Sequence, residues 1–419
     1  MNIEQIFVGT ELLLGNITNT NARFIAEQCV ALGLTCVGQT VVGDDESMLR
    51  NALSTSLSRS DFVIVTGGMG AADDDITKKT VTDVLNLKLV PDEKLETSVK
   101  KYYAGRHIDE PQNARKLYSV PDNCTVMYNE NGITPGFIIE KEGKKVILLP
   151  GQPVELEGMF HKYVTEYLKS SSPEAIATST VKICGIGENE VSDKISDLFG
   201  KDSNPSVTVC AKTGEVHLHV TAKAPDEKTA LKLIKPVIRE IKTRFGFDIY
   251  TTDDSTTLEK ALVDLLVANK MTISTFESCT GGLVAGRIIN VPGVSDVFKH
   301  GHITYSNSAK MKFLGVKKKA LDDHTAVSAE VCEEMVKGAL LSGKPDVVVA
   351  VTGLAGPDGG TEEKPVGLVY IGCGVKGNIT VNEYHFNGDR KKIRESAVAA
   401  AITLARKCVL EYISRSTFG

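Results

Sequence analysis

The feature that most constrains the fold of this 419-residue chain is a repeated alternation of short apolar runs and amphipathic runs. In the first segment, apolar runs at residues 3–8, 35–42 and 62–66 alternate with runs of helical spacing at residues 19–32 and 45–58. Strands that alternate with helices form parallel sheets covered by helices on both faces. The sequence therefore predicts an α/β fold, in which ligands bind beyond the carboxyl ends of the strands.

Composition limits the class of protein. Hydrophobic residues make up 42% and charged residues 24% of the sequence, which is typical of a globular protein. No apolar run approaches the roughly 20 residues that a membrane-spanning helix needs, and the first residues show no signal-peptide pattern. The nine cysteines are scattered singly, as reduced thiols are, and the net charge of -5 disfavours broad binding to nucleic acids or membranes. We therefore expect a cytoplasmic multidomain protein that acts on small molecules.

Glycine-rich turns follow three strand-like runs of the first segment, at residues 9–11, 67–70 and 150–153. Glycines let the backbone approach a phosphate and present N–H groups to it. The acidic triplet Asp73-Asp74-Asp75 follows the second turn, just before a helix that begins near Ile76. One aspartate would suffice as a helix cap, whereas three beside a phosphate-binding turn are typical of a divalent metal bridged to phosphate. The pattern leaves both interpretations open.

The motifs of this segment resemble the molybdopterin-binding fold and, more closely, the N-terminal domain of the competence-damage-inducible (CinA) family. They are T-G-G-x-G followed by Asp and Thr, G-T-E-L-L-x-G near the start, and L-P-G-x-P near the end. The resemblance implies that a divalent ion (Co, Mg or Mn) assists the hydrolysis of ADP-ribose to AMP and ribose 5-phosphate. Ala71-Ala72 stands where the family usually has Pro-Thr. By the same resemblance Asp74 and Asp75 would hold the metal, and the nucleotide would contact Glu11, Asn21, Gly67, Gly68, Gly70, Thr77 and Gly151.

The middle segment predicts a small mixed domain after a linker at residues 170–173. Strands are expected at residues 179–184, 206–210 and 216–221, and helices at residues 188–199 and 226–245. This order resembles the KH-like domain found at the same place in longer CinA proteins. Gly185-Ile186-Gly187-Glu188 is similar to an RNA-binding G-X-X-G loop but lacks basic neighbours, so we expect a spacer or an oligomerisation module.

His217 and His219 lie on one face of the predicted strand at residues 216–221. Two histidines could ligate a metal, but no third ligand is near in sequence. We therefore expect their side chains to be exposed.

A second alternating unit occupies residues 253–419 and predicts another mostly parallel sheet. Thr257 caps a helix with a leucine stripe, and Ser328 caps a second amphipathic helix. Lys317-Lys318-Lys319 is interpreted as a solvated turn. Strands are expected at residues 271–276, 301–305, 347–352, 366–373 and 379–386, and further helices at residues 283–289, 308–313 and 393–413.

The turn Glu277-Ser278-Cys279-Thr280-Gly281-Gly282 joins the first strand of this unit to a helix of small residues. It places two hydroxyls and a thiol where backbone N–H groups and the helix dipole favour negative charge. A capped helix with glycines for close packing would have the same composition. A second glycine-rich stretch, residues 353–360, also follows a strand and suits either a phosphate or a plain surface loop.

Four motifs in this unit resemble the C-terminal CinA domain, the nicotinamide mononucleotide deamidase family: E-S-C-T-G-G, Y-S-N-x-x-K, G-L-A-G-P-D-G-G and K-P-V-G. Nearly the whole chain is thus similar to a full-length CinA protein, with domains at residues 1–172, 173–252 and 253–419. The resemblance implies hydrolysis of nicotinamide mononucleotide to nicotinic acid mononucleotide and ammonia, in pyridine nucleotide salvage. It also implies a homodimer and no cofactor at this second site.

Amide hydrolysis needs a nucleophile, a base, donors to the oxyanion and an acid for the departing ammonia. We expect Ser278 to be the nucleophile and Lys310 the base, acting directly or through Tyr305 once burial lowers the lysine pKa. Cys279 is the rival nucleophile because thiolates form at helix N-termini. N–H groups near Thr280 and Gly281 would stabilise the oxyanion. Substrate contacts are expected from Gly281, Gly282, Arg287, Asn307, Gly353, Gly356, Gly359 and Gly360, with Arg287 or Lys364 near the phosphate.

Two other functions stay open. The N-terminal pyrophosphatase could be the main activity, with the deamidase accessory to it. Alternatively, the chain could be a non-catalytic pterin-binding or competence-linked interaction protein. Ala71-Ala72 fits that reading for the first domain, whereas the intact set of Ser278, Tyr305 and Lys310 speaks against it for the last.

Overall fold

The computed structural model describes residues 1–32, 34–171, 175–200 and 203–418. Contacts divide the chain into one unit of Met1–Thr178 with Thr221–Ile234, and another of Ser179–Val220 with Lys235–Gly419. Ser172 and Pro173 of the predicted linker lie outside the described residues, and Ser170 belongs to a helix rather than to a linker. Within the described residues, no helix has both the length and the apolar character to cross a membrane.

The first segment forms a six-stranded sheet with helices on both faces. The segment has eight strands, of which six form this sheet: β1 (Asn2–Val8), β2 (Thr35–Val42), β3 (Phe62–Thr66), β4 (Leu89–Pro91), β5 (Ser119–Pro121), β6 (Cys124–Met127), β7 (Gly136–Lys141) and β8 (Lys144–Leu149). Its helices are α1 (Thr10–Leu13), α2 (Thr20–Ala31), α3 (Glu46–Arg59), α4 (Thr77–Val84), α5 (Glu93–Gly105), α6 (Arg115–Tyr118), α7 (Pro153–Met159) and α8 (Thr165–Ser170). The strand order is β2-β1-β3-β8-β7-β6, and β4 pairs with β5 apart from it.

The predicted parallel α/β architecture is confirmed for β1, β2, β3 and β8, which run parallel. Strands β6 and β7 extend the sheet as an antiparallel edge that the sequence pattern did not predict. Successive residues of β3 alternate between two buried clusters, with Val63 and Val65 on one face and Phe62 and Ile64 on the other. The run of helical spacing at residues 45–58 forms α3, although one apolar residue of that run, Met48, is 55% exposed.

The middle segment contains β9 (Ala175–Cys184), α9 (Glu188–Lys194), β10 (Ser206–Lys212), β11 (Glu215–Ala224), α10 (Glu227–Phe245) and β12 (Ile249–Thr251). Its strands are ordered β10-β11-β9-β12. Strand β12 was not predicted, and it overturns the expectation that His217 is exposed. The His217 ring is buried, with Nε2 3.3 Å from the Tyr250 hydroxyl and 3.2 Å from Glu215 Oε2. Its partner in the pattern, His219, is half-buried and bonds to Thr180 Oγ1.

The last segment forms a five-stranded sheet ordered β14-β13-β15-β16-β17. The strands are β13 (Ile273–Glu277), β14 (Phe298–Ile303), β15 (Val347–Gly353), β16 (Leu368–Val375) and β17 (Asn378–His385). The helices are α11 (Leu258–Ala268), α12 (Leu283–Ile289), α13 (Asn307–Leu314), α14 (Lys318–His324), α15 (Ala329–Leu341) and α16 (Arg390–Phe418). Strands β13, β14 and β15 are parallel, and β16 and β17 are antiparallel additions.

Helices cover both faces of this sheet. Val349 and Val351 of β15 pack in the cluster that contains α11 and α16, whereas Val348 and Ala350 pack against α15. Thr257 and Ser328 cap their helices as predicted. The lysine run at residues 317–319 begins helix α14 instead of forming a turn, although its side chains are exposed.

Candidate active site

The turn after β13 has a conformation that depends on its two glycines. Gly281 and Gly282 have φ angles of 62° and 93°, in the left-handed region that other residues adopt only with strain. The Ser278 N–H donates to the Val351 carbonyl at 2.9 Å, and the Gly281 N–H donates to the Ser278 carbonyl at 3.0 Å. Ser278 is therefore fixed at the carboxyl end of the sheet, between two parallel strands.

Glu277 supplies the anion at the start of α12. Its carboxylate is 1% exposed and accepts the N–H groups of Gly282, Val284 and Ala285 at 2.9, 3.0 and 2.8 Å. The N-cap residue Gly282 has no side chain with which to cap the helix. The interpretation of the turn as a Ser/Thr cap is therefore wrong, because a glutamate at the end of the preceding strand accepts the N–H groups at the start of the helix.

The Lys310 amine lies against the Ser278 hydroxyl. Lys310 is 1% exposed, and its Nζ is 3.0 Å from Ser278 Oγ, 2.9 Å from the Thr304 carbonyl and 3.3 Å from the Tyr305 carbonyl. Burial lowers the pKa of this amine to about 8, because removal from water disfavours the charged form. A neutral amine has two N–H donors and one lone pair. Two carbonyls and one hydroxyl are the partners that satisfy such a group.

Tyr305 lies at the mouth of the site, and its side chain is 59% exposed. Its hydroxyl accepts a hydrogen bond from Arg390 at 3.3 Å. In the described part of the chain, this hydroxyl makes no hydrogen bond to Ser278 or Lys310. The arrangement thus supports direct proton transfer between Ser278 and Lys310 over a relay through Tyr305.

Cys279 is 6% exposed and follows Ser278 in the turn. Burial raises the pKa of its thiol to about 11, although the backbone N–H groups of Cys279 and Thr280 and the nearby Lys310 oppose this shift. The thiol is therefore protonated near neutral pH, which weakens it as a nucleophile. The Gly281 N–H is already used by Ser278, so the Cys279 and Thr280 N–H groups are the donors of this turn that suit an oxyanion.

Two arginines of α16, which the sequence interpretation missed, contact this site. Arg394 donates to the Cys279 carbonyl at 3.0 Å and to the Thr280 carbonyl at 2.9 Å. Arg390 donates to the Gly356 carbonyl at 2.7 Å, in addition to its bond with Tyr305. Their spacing of four residues, which places them on one helix face, was the available signal. Arg390 lines a cavity of about 260 Å³ together with Ser278 and Cys279 of the turn, whereas Arg394 lies outside its lining.

Only some of the predicted residues meet at this cavity. Ser278, Cys279, Tyr305, Lys310, Gly353 and Gly356 line it, and the structure adds Thr352, Asp358 and Arg390. The Thr280 side chain is fully buried beneath the turn, and its Oγ1 has no hydrogen-bond partner among the described residues. The structure does not bring five predicted substrate contacts to the lining, namely Gly281, Gly282, Asn307, Gly359 and Gly360.

The two cations expected near a phosphate lie elsewhere. Arg287 is engaged by Glu215 and Glu259, each at 2.8 Å. Lys364 bonds to the carbonyls of His324 and Val327 at 2.7 and 2.8 Å, where it fixes a loop. Arg390 is the guanidinium that lines the cavity in their place.

A second cavity, of about 600 Å³, lies at the carboxyl ends of β1, β3 and β8. Asn21 spans part of it by donating to the Gly151 carbonyl at 2.8 Å. Thr77 is buried and donates to the Gly67 carbonyl at 2.7 Å, so it shapes the turn instead of lining the cavity. The predicted residues that do line the cavity are Glu11, Asn21, Gly67, Gly68, Gly70, Asp74, Asp75 and Gly151, and Asp44 and Glu155 join them.

Gly67 has a φ of 95°, and a Cβ at this position would overlap the Val8 carbonyl. This turn therefore requires glycine for its own backbone conformation, whereas the predicted approach to a phosphate stays a prediction. The cap interpretation of the acidic triplet is wrong, since Ile76 is the N-cap of α4 and has no side-chain cap. Asp75 instead accepts the Ala72 N–H at 2.8 Å, and Asp73 faces Lys116.

The carboxylate oxygens at this second cavity are suitable ligands for a divalent ion that is also bound by a phosphate. Asp74 and Asp75 offer carboxylate oxygens next to the glycine turn, and Mg²⁺ commonly binds one or two carboxylates together with phosphate oxygens and water. Among the described residues, no group of three or more metal-ligating side chains could hold a metal without such help.

Comparison with known families divides the chain into three matches. Residues 4–170 match the "Probable molybdopterin binding domain", residues 178–251 the damage-inducible protein CinA KH domain, and residues 255–409 the CinA C-terminal domain. Competence-damage inducible proteins of Clostridium acetobutylicum and Clostridium beijerinckii are 42% and 43% identical to this chain. Each alignment covers 98% of this chain and 100% of the relative.

Solved structures match a shorter part of the chain. The competence/damage inducible protein CihA of Agrobacterium tumefaciens is 38% identical, over 35% of this chain and 90% of its own, with a TM-score of 0.35. The protein CinA of Thermoplasma acidophilum is 33% identical, over 39% of this chain and 96% of its own, with a TM-score of 0.37.

Proposed function

This chain belongs to the CinA (competence-damage inducible protein) family, and we propose that its C-terminal domain is an amidohydrolase that converts nicotinamide mononucleotide to nicotinic acid mononucleotide and ammonia. The observation that carries the proposal is the pairing of Ser278 with a buried lysine. Lys310 Nζ lies 3.0 Å from Ser278 Oγ, and two carbonyls occupy its remaining hydrogen-bonding positions. This surrounding suits a neutral amine that accepts the hydroxyl proton.

The proposed first step is attack of Ser278 Oγ on the carboxamide carbon while its proton passes to Lys310 Nζ. The negative charge on the tetrahedral oxygen is stabilised by the N–H groups of Cys279 and Thr280. The protonated Lys310 then gives its proton to the departing ammonia, which leaves an acyl ester on Ser278. Water attacks this ester with Lys310 again as base, so that the carboxylate product leaves and the hydroxyl is restored. One water is consumed for each ammonia released.

The substrate phosphate requires a cation and N–H donors at a fixed distance from the reacting carbon. We assign this role to Arg390 together with the backbone of residues 353–356, which line the same cavity as Ser278. Arg390 already donates to the Gly356 carbonyl at 2.7 Å, so the loop and the guanidinium are held together before substrate binds. Tyr305, with its largely exposed ring at the mouth, is suited to contact the pyridine ring.

The proposal is tested by ammonia release and chromatographic detection of nicotinic acid mononucleotide with full-length protein. Ser278→Ala is expected to lose activity by several orders of magnitude while keeping its circular dichroism and thermal midpoint. Cys279→Ala, changed at the adjacent position, serves as the matched control and is expected to retain activity. Loss in Cys279→Ala with full activity in Ser278→Ala would transfer the nucleophile to the thiol.

We also propose that the N-terminal domain hydrolyses ADP-ribose to AMP and ribose 5-phosphate. The observation in favour is the cavity of about 600 Å³, in which Asp74 and Asp75 accompany the glycine turn at residues 67–70. A divalent ion, when bound there with the diphosphate, would neutralise charge and activate water. The chain's own contribution is to bind the phosphates on the N–H groups of the turn. Activity that survives EDTA would contradict this proposal, whereas the amidohydrolase is expected to be insensitive to EDTA.

A further inference from the structure

A third cavity, of about 450 Å³, lies in the unit of Ser179–Val220 with Lys235–Gly419, and the proposed activities do not use it. One wall comes from residues 184–186, Gly214 and residues 247–248 of the middle segment. The other comes from the end of β17, from Phe386 just after it, and from the middle of α16 between residues 396 and 407. Its volume falls in the range of about 300–1,000 Å³ that small-molecule sites occupy.

Two glycines allow the middle segment to come close to α16 at this cavity. Gly185 has a φ of 83°, and a Cβ there would lie 3.1 Å from Thr403 Cγ2. Gly214 has a φ of 76°, and a Cβ there would overlap Ala399. The loop that is similar to a G-X-X-G motif therefore packs on a helix of its own chain at Gly185, where an RNA backbone would otherwise bind.

The cavity has an aromatic side. The rings of Tyr384 on β17 and Phe386 just after it are stacked, with centroids 5.5 Å apart and planes inclined by 9°. Phe247 lines the cavity from the opposite wall with 68% of its side chain exposed. An exposed phenylalanine opposite a stacked pair offers aromatic surface on which a planar base can stack.

The cavity also has a cationic side, formed by Arg406 and Lys407. Arg406 is half-buried and donates to the Phe247 and Ile249 carbonyls at 2.7 and 2.8 Å. Within the described residues it has no carboxylate at ion-pair distance, although Asp248 also lines the cavity. Burial lowers the pKa of Arg406, as expected for a charge that lacks a full counter-charge. Lys407 adds an exposed cation, and Thr403 Oγ1 is buried without a hydrogen-bond partner among the described residues.

We propose that this cavity is a binding site for a mononucleotide, that is, a planar aromatic base linked to a phosphate. The base lies against Phe247, Tyr384 and Phe386, and the phosphate lies toward Arg406 and Lys407. An uncharged aromatic would leave Arg406 without a counter-charge, and a simple anion would leave the aromatic side uncovered. Only a ligand that carries both groups satisfies both sides of the cavity.

The test uses the absence of tryptophan from the chain. In Phe247→Trp full-length protein, the only indole stands at this cavity, so its fluorescence reports binding there and not at the other two sites. AMP is the probe, adenosine is the phosphate-free comparison, and Phe199→Trp is the control, since Phe199 is an exposed aromatic outside the cavity lining. We expect AMP to quench Phe247→Trp saturably, adenosine to bind at least tenfold more weakly, and Phe199→Trp to be unaffected.

Charge reversal supplies a second measurement. Lys407→Glu in the Phe247→Trp background should weaken AMP binding about tenfold or more, because a like charge then faces the phosphate. Lys391→Glu, an exposed lysine of the same helix outside the cavity lining, should leave the affinity unchanged. The proposal is overturned if AMP gives no saturable quenching in the millimolar range, if adenosine binds as tightly as AMP, or if both lysine variants lose affinity equally.

Discussion

The pH dependence of amide hydrolysis gives the sharpest test of the Lys310 assignment. The base must be neutral to accept the Ser278 proton, so activity follows the unprotonated fraction of the amine. Burial lowers its pKa from 10.5 to about 8. The neutral fraction is then about 1% at pH 6, about 9% at pH 7 and about 50% at pH 8. We expect kcat/KM to rise about tenfold per pH unit below 7 and to level off above 9.

The pH at which activity rises also distinguishes Ser278, activated by Lys310, from Cys279 as the nucleophile. Direct ionisation of the Cys279 thiol would place the rise near pH 11, because burial raises its pKa to about that value. A lysine with an ordinary pKa would place it near 10.5. A midpoint near 8 therefore favours the buried lysine over both of these alternatives. The phosphate of the substrate titrates at about 6, so its contribution is removed by comparing kcat with kcat/KM.

The assay is direct chromatographic measurement of nicotinic acid mononucleotide between pH 6 and 10, without coupling enzymes. Lys310→Arg keeps the positive charge but cannot act as a base, and it should be inactive across the range. Lys310→Ala should regain part of its activity when small primary amines are added, in proportion to their unprotonated form. A flat profile in the wild type, or a Lys310→Arg variant that keeps the midpoint near 8, would refute the reasoning.

Predictions for three further variants follow from the structure. Glu277→Gln should lower the free energy of unfolding by about 1–3 kcal/mol, because the buried N–H groups of α12 lose an anionic acceptor; urea unfolding that matches the wild type would contradict the capping role. Arg394→Lys should lower kcat for amide hydrolysis with little change in KM, since one ammonium cannot hold both turn carbonyls as the guanidinium does; an unchanged kcat would show that the turn keeps its shape without Arg394. Asp74→Asn with Asp75→Asn should abolish metal-dependent ADP-ribose hydrolysis and spare ammonia release, as followed by AMP and ammonia assays on one preparation; equal loss of both activities would indicate general misfolding.

The central part of the Ser278 site was predictable from sequence because its residues lie close together along the chain. The Ser278 turn lies between an apolar strand and a helix of small residues, and both elements begin or end within two residues of the predicted positions. Lys310 lies on the next helix after the neighbouring strand, so the parallel order of β13 and β14 brings it back to Ser278. A pattern that places residues at adjacent strand ends was sufficient here.

Contacts between distant segments were not predictable in this way. Arg287 follows the catalytic turn closely and was a reasonable candidate for the phosphate, yet its partner Glu215 precedes it by 72 residues. His217 was expected to be exposed because no third metal ligand lies near it in sequence, but Tyr250, 33 residues later, contacts its ring. Periodicity describes one element at a time and carries no information about which acid or aromatic residue will face it.

Glu277 is the instructive intermediate case. A glutamate at the end of an otherwise apolar strand is a visible anomaly, because carboxylates are rarely buried without partners. The sequence shows that Glu277 needs donors, but not that these donors are the N–H groups of the helix that follows its own turn. The same reasoning applies to Arg390 and Arg394, whose common face was readable and whose targets were not.

Helix α16 connects two of the cavities in a way that has a thermodynamic consequence. Arg390 and Arg394 contact the serine site, and Arg406 lies at the proposed nucleotide site, about 24 Å from Arg390 and about 18 Å from Arg394 along the axis at about 1.5 Å per residue. No loop interrupts the helix between them to absorb a displacement. Any coupling free energy between the two ligands is reciprocal, so a nucleotide that alters substrate affinity at one end has its own affinity altered by the same factor. Where such coupling exists, its size is the same whether it is measured by titrating the substrate or by titrating the nucleotide.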